Sequence, residues 1–371
     1  QFPGFCSGLK SATMCGFGLS IQGLLMNCKV RVMPSGHEFT VKAGESVLDA
    51  ALRQGVTLPY GCRNGTCGSC KGKVLTGRVE YGESQPVALT EEERAQGMAL
   101  FCQARPAGDI TVEAQATLVG DLPVKKLPAR VAKKELLAPD VMRLYLKLPA
   151  AVRLQFLAGQ YIDFLLPDGR HRSFSLANAP HDDEFVELHV RHVDKGEFTE
   201  YVFYHMKEKS MVRIEGPRGD FYLRENSPRP MILVAGGTGF APIKGIIEHA
   251  FAAGIDRPMH LYWGARALVD LYLQELPQRW AQEYANFQFT AVLSAPAAAD
   301  NWQGPTGFVH ETLVMDYPDF ASYDVYAAGP PAMVRATRDA CVAHGLPAGQ
   351  FFSDPFEFAP DAVAKQQHAQ P

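Results

Sequence analysis

Four cysteines are spaced as metal ligands. Cys62, Cys67 and Cys70 form a C-x4-C-x2-C run, and Cys102 follows 32 positions after Cys70. This is the plant-type spacing for a [2Fe–2S] cluster, where four thiolates surround two irons. Three thiolates on one tight loop wrap the cluster, and a fourth from a distant segment locks it. Gly61, Gly65 and Gly68 punctuate the loop and let backbone amides come close to the sulfurs. Zinc or buried thiols are the rival chemistries, but zinc sites more often use paired C-x2-C units, and the x4 gap fits that pattern poorly. Cys341 sits in a helical pattern and reads as a buried thiol. Cys6 and Cys15 have no assigned role.

Two other stretches carry chemistry. Arg172-Ser173-Phe174-Ser175 offers a guanidinium, which pairs with phosphate, and a flat ring, which gives a stacking face. Gly236-Gly237-Thr238-Gly239-Phe240-Ala241-Pro242 lies between an apolar run and a helical pattern. A glycine turn in that position brings backbone against a dinucleotide, although it is not the G-x-G-x-x-G fingerprint.

Three sets of elements must hold these residues. From Asn27, Cys28, Val30 and Val32 alternate with polar residues, Pro34-Ser35-Gly36 turns the chain, and Phe39 and Val41 alternate on the return. Ser46 to Gln54 reads as a helix stopped by Gly55, with Val47, Leu48, Ala51 and Leu52 on one face. Hairpin, helix and cysteine loop follow in β-grasp order over 26–117. Residues 118–126 read as a linker. Alternating segments around Leu144, Phe164, Leu188 and Ile214 predict a small antiparallel β-barrel over 127–226. Apolar runs at Met231, His260, Phe287 and Val325, with helical patterns between, predict a parallel α/β sheet over 227–358. The fold class expected is therefore multi-domain, α+β and α/β. Residues 359–371 form a polar tail.

The first 25 residues begin at Gln1 rather than Met and have no period and no basic n-region; they read as a disordered arm or a spurious extension, with Met26 as the natural start. The chain has 371 residues, 47% apolar and 20% charged, with a net charge of −4. That balance gives no basic footprint for nucleic acid. No apolar run approaches a bilayer span. Eight cysteines, four of them clustered, suit a reducing compartment, and the expected location is cytoplasmic.

From residue 27 to about 358 the chain resembles the ferredoxin–NAD(P)H reductase superfamily, in the branch with an N-terminal ferredoxin domain. That branch includes phenol hydroxylase and benzoate dioxygenase reductases and the CDP-4-dehydro-6-deoxyglucose reductases. The resemblance implies an FAD cofactor, NADH as electron donor, and a protein acceptor. The acceptor is a pyridoxamine-phosphate (PMP)-dependent dehydrase or, in the other reading, an aromatic-ring oxygenase component. It implies that Arg172 meets the flavin diphosphate, that Ser173 lies beside it, that Phe174 stacks on the ring, and that Ser175 lies near N5. Phe174 replaces the usual Tyr. His189, Arg191, Gly196 and Thr199 fall in a further flavin-contact stretch, with Thr199 open to a plain N-cap role. Gly237, Thr238 and Gly239 match the family's glycine turn. Ala328-Gly329-Pro330 matches a Cys-Gly-x-Pro element beside the nicotinamide, with Ala for Cys. Phe356 is the candidate against the flavin face, and Phe351 and Phe352 read as a buried edge strand. Ser175 and Thr238 are the catalytic candidates. Arg266, at the end of the second nucleotide-domain strand, suggests a 2′-phosphate grip, against the NADH preference of the resembling reductases. A passive ferredoxin carrier with decayed domains is a third reading, opposed by the intact motifs.

Overall fold

The computed structural model describes residues 27–54, 56, 58, 65, 68, 70–82, 86, 88–114, 122–347 and 349–356. Cys62, Cys67, residues 1–26, residues 118–121 of the expected linker and the tail lie outside the described residues.

The first unit contains β1 (Cys28–Met33), β2 (His37–Val41), α1 (Val47–Arg53), β3 (Lys71–Thr76), β4 (Val79–Glu80), α2 (Glu91–Ala95), β5 (Met98–Leu100), β6 (Arg105–Pro106) and β7 (Ile110–Glu113). Its five-stranded sheet runs β2-β1-β7-β3-β5, with β1 and β7 parallel at the centre. That is a β-grasp sheet. The alternation in β1 is real: Val30 and Val32 are buried while Lys29 and Arg31 face water. Ser46 caps α1 by accepting from the Asp49 N–H at 3.1 Å. The apolar face Val47, Leu48, Ala51 and Leu52 is buried against the sheet.

The second unit contains β8 (Lys125–Ala138), β9 (Val141–Lys147), β10 (Tyr161–Leu165), β11 (His171–Ser175), β12 (Val186–Arg191), α3 (Glu197–Glu200) and β13 (Met211–Arg218). The strands are antiparallel in the order β11-β10-β13-β8-β9-β12. A bridge between Leu176 and Leu188 joins the two outer strands and closes the barrel, which removes the exposed edges. β8 carries six charged residues and Pro128, and its apolar alternation is confined to Leu127, Ala129 and Val131. Lys125 and Lys126, placed in the linker by sequence, pair with Gly216 and Glu215 of β13.

The third unit contains β14 (Met231–Gly236), α4 (Phe240–Ala253), β15 (Met259–Ala265), α5 (Glu275–Glu283), β16 (Phe287–Leu293), α6 (Val309–Asp316), β17 (Asp324–Gly329), α7 (Pro331–Ala343) and β18 (Phe351–Pro355). All five strands are parallel, in the order β16-β15-β14-β17-β18. β14 and β17 are buried along their whole length, as central parallel strands must be. The strand order reverses at β14, and the crevice beyond the carboxyl ends there is the natural ligand site of such sheets.

The barrel and the third unit share buried polar contacts, described below. The first unit is joined more lightly. Among the described residues its one hydrogen bond to the rest runs from Gln155 Nε2 to the Leu58 carbonyl at 2.7 Å, and α1 lies against α4.

Candidate functional site

The cysteine segments are placed by the backbone. The first N–H groups of α1 have no helical partner. Here Val47 N–H donates to the Ala104 carbonyl and Leu48 N–H to the Phe101 carbonyl, both at 2.9 Å. The helix thus grips both sides of Cys102. Phe101 N–H in turn donates to the Cys70 carbonyl at 3.1 Å, tying the two ligand segments together. Cys70 and Cys102 are both buried. Gly72 must be glycine, since a Cβ there would lie 2.3 Å from the Phe101 ring. Gly65 and Gly68 both take φ in the left-handed region, at +80° and +76°. Burial above all, with a smaller push from Cys70 and Cys102, raises the Tyr81 hydroxyl above its ordinary range, against the hydrogen bond from Leu100 N–H. Two buried cysteines on segments tied together in this way suit an iron–sulfur cluster. Cys62 and Cys67, which would complete the set, lie outside the described residues.

A cavity of about 580 Å³ lies between the barrel and the third unit, within the range of ordinary cofactor pockets. It brings together Arg172, Ser173, Phe174 and Ser175 of β11, His189 and Arg191 of β12, Gly196 and Thr199, Gly237 and Thr238, Pro330 and Phe356. Gly239, Ala328 and Gly329 stand behind its wall. Their role there is close packing: a Cβ on Gly239 would fall 2.0 Å from the Ala328 carbonyl oxygen, and one on Gly329 2.6 Å from the Gly236 oxygen. Tyr161, His192, Lys195 and Asp354 also line the cavity, and the sequence reading does not single them out.

The wall is cationic and its donors are not all used. Arg191 Nε and Nη2 are buried without a hydrogen-bond partner, although Asp140 and Asp270 carboxylates stand 3.4 and 3.7 Å away. Buried donors are rarely left unmet, so this guanidinium fits an anionic group in the cavity. Gly237, at φ +52°, leaves room for it, since a Cβ there would sit 3.1 Å from Arg191 Nη1. Phe174 packs edge-on to Phe164, with ring centres 5.7 Å apart, and at a tilt to Phe198. An anion-binding guanidinium, an aromatic wall and a glycine turn fit a flavin and a dinucleotide.

Three side chains behave differently from their expected roles. Thr199 is not an N-cap: Gly196 holds that position, and the Thr199 hydroxyl turns back to accept from Val193 N–H at 3.1 Å. Both ring nitrogens of His189 are engaged inside the protein, with Tyr272 Oη at 3.0 Å and Glu187 Oε1 at 2.9 Å. Burial lowers its pKa, against the hydrogen bond and charge of Glu187. Arg266 is exposed, and its Nε lies 3.3 Å from Asp270 Oδ2, so the cation expected to grip a 2′-phosphate already faces a carboxylate.

Asp354, beside Phe356 on the last strand, is the functional group that sequence reasoning passes over. Its Oδ2 accepts from the Ser175 hydroxyl at 2.8 Å. Burial pushes its pKa up to about 6, against the pull of that hydrogen bond and with help from Asp220. Trp263 is the second omission. Its indole N–H donates to the Gly237 carbonyl at 3.0 Å, holding the glycine turn from behind.

Residues 30–107 match the 2Fe-2S iron-sulfur cluster binding domain, 128–222 the oxidoreductase FAD-binding domain, and 233–339 the oxidoreductase NAD-binding domain. The chain is 38% identical to a CDP-6-deoxy-L-threo-D-glycero-4-hexulose-3-dehydrase reductase of Yersinia pestis, covering 89% of this chain and 99% of that protein. It is 35% identical to the phenol hydroxylase P5 protein of Acinetobacter pittii, covering 93% and 98%. A solved cytochrome P450 reductase from Amycolatopsis superposes with a TM-score of 0.60 at 36% identity, covering 89% and 98%. Among the described residues no helix is long and apolar enough to cross a membrane. With its β-grasp cluster domain, its closed barrel and its parallel nucleotide sheet, the chain belongs to the ferredoxin–NAD(P)H reductase family, as an oxidoreductase that carries its own [2Fe–2S], FAD-binding and NAD-binding domains.

Proposed function

We propose that this chain passes electrons from NADH, by way of FAD and the [2Fe–2S] cluster, to a PMP-dependent dehydrase acting on a deoxysugar nucleotide. The observation that carries the electron route is the cavity between the barrel and the third unit. It joins the barrel's Arg172–Ser175 strand to the Gly237–Thr238 turn, while the cysteines sit in a separate unit. A bound flavin accepts a hydride and releases its electrons singly, which a one-electron cluster requires.

The protein's own residues bind and align. Arg172 and Arg191 neutralise the diphosphate. Phe174 offers a stacking face without the hydroxyl of a Tyr. Ser175 and Thr238 both line the cavity, one from each domain, and are the catalytic candidates. Gly196 keeps the wall open, since a Cβ there would lie 2.7 Å from Thr199 Oγ1. Pro330 belongs to the nicotinamide side and Phe356 is the candidate for the flavin face; both line the cavity. Cys62, Cys67, Cys70 and Cys102 hold the cluster.

The acceptor is read from likeness to the Yersinia dehydrase reductase over nearly its full length. A second reading, that the chain is the reductase component of an aromatic-ring oxygenase, draws on the likeness to the phenol hydroxylase protein. Reconstitution separates them. NADH oxidation should accelerate when a PMP-dependent dehydrase and its CDP-sugar substrate are added. Acceleration by an oxygenase component and its aromatic substrate instead would overturn the first reading. A preparation holding zinc without labile sulfide, or one that NADH does not bleach, would overturn the electron route itself.

A further inference from the structure

A chain of buried polar groups crosses between the barrel and the nucleotide unit. Lys244, on α4, donates to the Ala177 carbonyl at 3.1 Å, to Glu187 Oε2 at 3.2 Å and to Glu248 Oε2 at 2.9 Å. Glu187, on β12, meets His189 Nε2 at 2.9 Å through its other oxygen. His189 Nδ1 then meets the hydroxyl of Tyr272, which returns the chain to the nucleotide unit. Lys244, Glu187, His189 and Tyr272 are all less than a tenth exposed. Burial tends to raise the Glu187 carboxyl, yet the His189 hydrogen bond and the Lys244 charge hold it at about 2.

Buried ion pairs are weak stabilisers compared with apolar packing, and their best-attested use is to specify one arrangement among several. Both units already have large apolar cores. What the chain specifies can be followed on both sides. Ala177, gripped by Lys244, lies two residues beyond Ser175. Lys244 lies one turn into α4, whose first residue follows the Gly237–Gly239 turn. Gly245 beside it allows no slack, since a Cβ would fall 2.9 Å from the Asn178 oxygen. Tyr272 packs edge-on to Trp263, whose ring stacks on Phe240 and whose N–H holds the Gly237 carbonyl. The cavity wall at His189 is therefore wired through Tyr272 and Trp263 to the glycine turn.

We propose that Lys244 and Tyr272 are positioning residues for reduction of the flavin by NADH: by gripping Glu187, His189 and Ala177 they fix the Gly237–Gly239 turn against the barrel strand that ends at Ser175. The inference rests on reading the cavity as the flavin and nicotinamide site.

Two variants test it in the fully loaded protein. Tyr272→Phe removes one oxygen and keeps the ring. Lys244→Met with Glu187→Gln removes the charges as a balanced pair. FAD content and NAD⁺ affinity by calorimetry should stay within about twofold of wild type. Flavin bleaching at saturating NADH should slow about tenfold in both, with a deuterium isotope effect from 4-deuterated NADH no smaller than in wild type. Amide hydrogen exchange in α4 should rise about fivefold, a readout independent of turnover. Bleaching within twofold of wild type in both variants overturns the proposal. So does slowing that matches only lost FAD, or lost NAD⁺ affinity with the saturated rate intact. Wild-type protein that NADH fails to bleach overturns the reading of the site instead, which keeps the two failures apart.

Discussion

The hydroxyl of Ser175 donates to Oδ2 of Asp354 at 2.8 Å, across 179 positions of sequence. The bond ties the end of a barrel strand to the last strand of the nucleotide sheet, at the cavity where two cofactors would meet. It also leaves a half-buried carboxyl in that seam, whose pKa desolvation pushes up to about 6.

The pH dependence follows from the sign of that shift. The native Asp354 pKa lies above the roughly 3.9 of an unfolded Asp. Between about pH 4 and 6 the native state therefore binds more protons than the unfolded chain. Stability falls as pH rises through this window and stays reduced above it. Asp354→Asn removes the penalty and should raise stability at pH 7.5 by about 2 kcal/mol. The gain at pH 4 should be far smaller. Urea midpoints at the two pH values measure it, and an equal gain at both would rule out that carboxyl as the cause.

The order of electron carriers has its own test. Cys67→Ser should disturb the cluster while the barrel and nucleotide units stay folded, because separable domains keep their own cores. Ferricyanide takes electrons from reduced flavin directly, whereas cytochrome c needs the cluster. NADH–ferricyanide activity should be mostly kept and cytochrome c reduction mostly lost. If both fall with FAD content unchanged, the linear order is wrong.

Asp270 bears on the choice of nicotinamide. It is buried, faces Arg266 at 3.3 Å and stands 3.7 Å from Arg191. A carboxylate there repels a 2′-phosphate and occupies Arg266. Wild type should favour NADH by kcat/KM. Asp270→Asn should raise kcat/KM for NADPH at least about fivefold, roughly 1 kcal/mol. A variant whose NADPH kinetics do not move would show that Arg266 is not being held in check.

Gly239 leaves no room for change. A Cβ there would meet the Ala328 carbonyl oxygen at 2.0 Å, a backbone atom that no rotamer change can clear. Gly239→Ala should destabilise the nucleotide unit by about 2 kcal/mol or more and weaken NAD⁺ binding. Calorimetric titration and a thermal melt measure the two effects. A fully stable variant with normal NAD⁺ affinity would contradict the packing described here.

The parts legible in sequence were those with a local signal. Alternation at Val30 and Val32, the continuous apolar run at Met231 and the cysteine spacing each encode their element within a few residues. β8 has a weaker signal, because its alternation is confined to Leu127, Ala129 and Val131 among six charged residues, and the strand is held by its neighbours. Lys244 is harder still. In a helix a lysine normally marks the solvent face, and only the folded chain puts Glu187 and the Ala177 carbonyl around it, 57 and 67 positions away. The Ser175–Asp354 and His189–Tyr272 pairs are likewise long-range meetings that no periodicity reports. The candidate site was legible as motifs on separate strands, and its internal wiring was not.

Gln155 to Leu58 is a slender join beside the ion-laced seam between the barrel and the nucleotide sheet. Among the described residues the barrel and the nucleotide sheet are thus laced together, with the first unit set beside them as a cartridge. Lineages that serve a sugar dehydrase and lineages that serve an oxygenase can in this way differ at the outlet and share the intake.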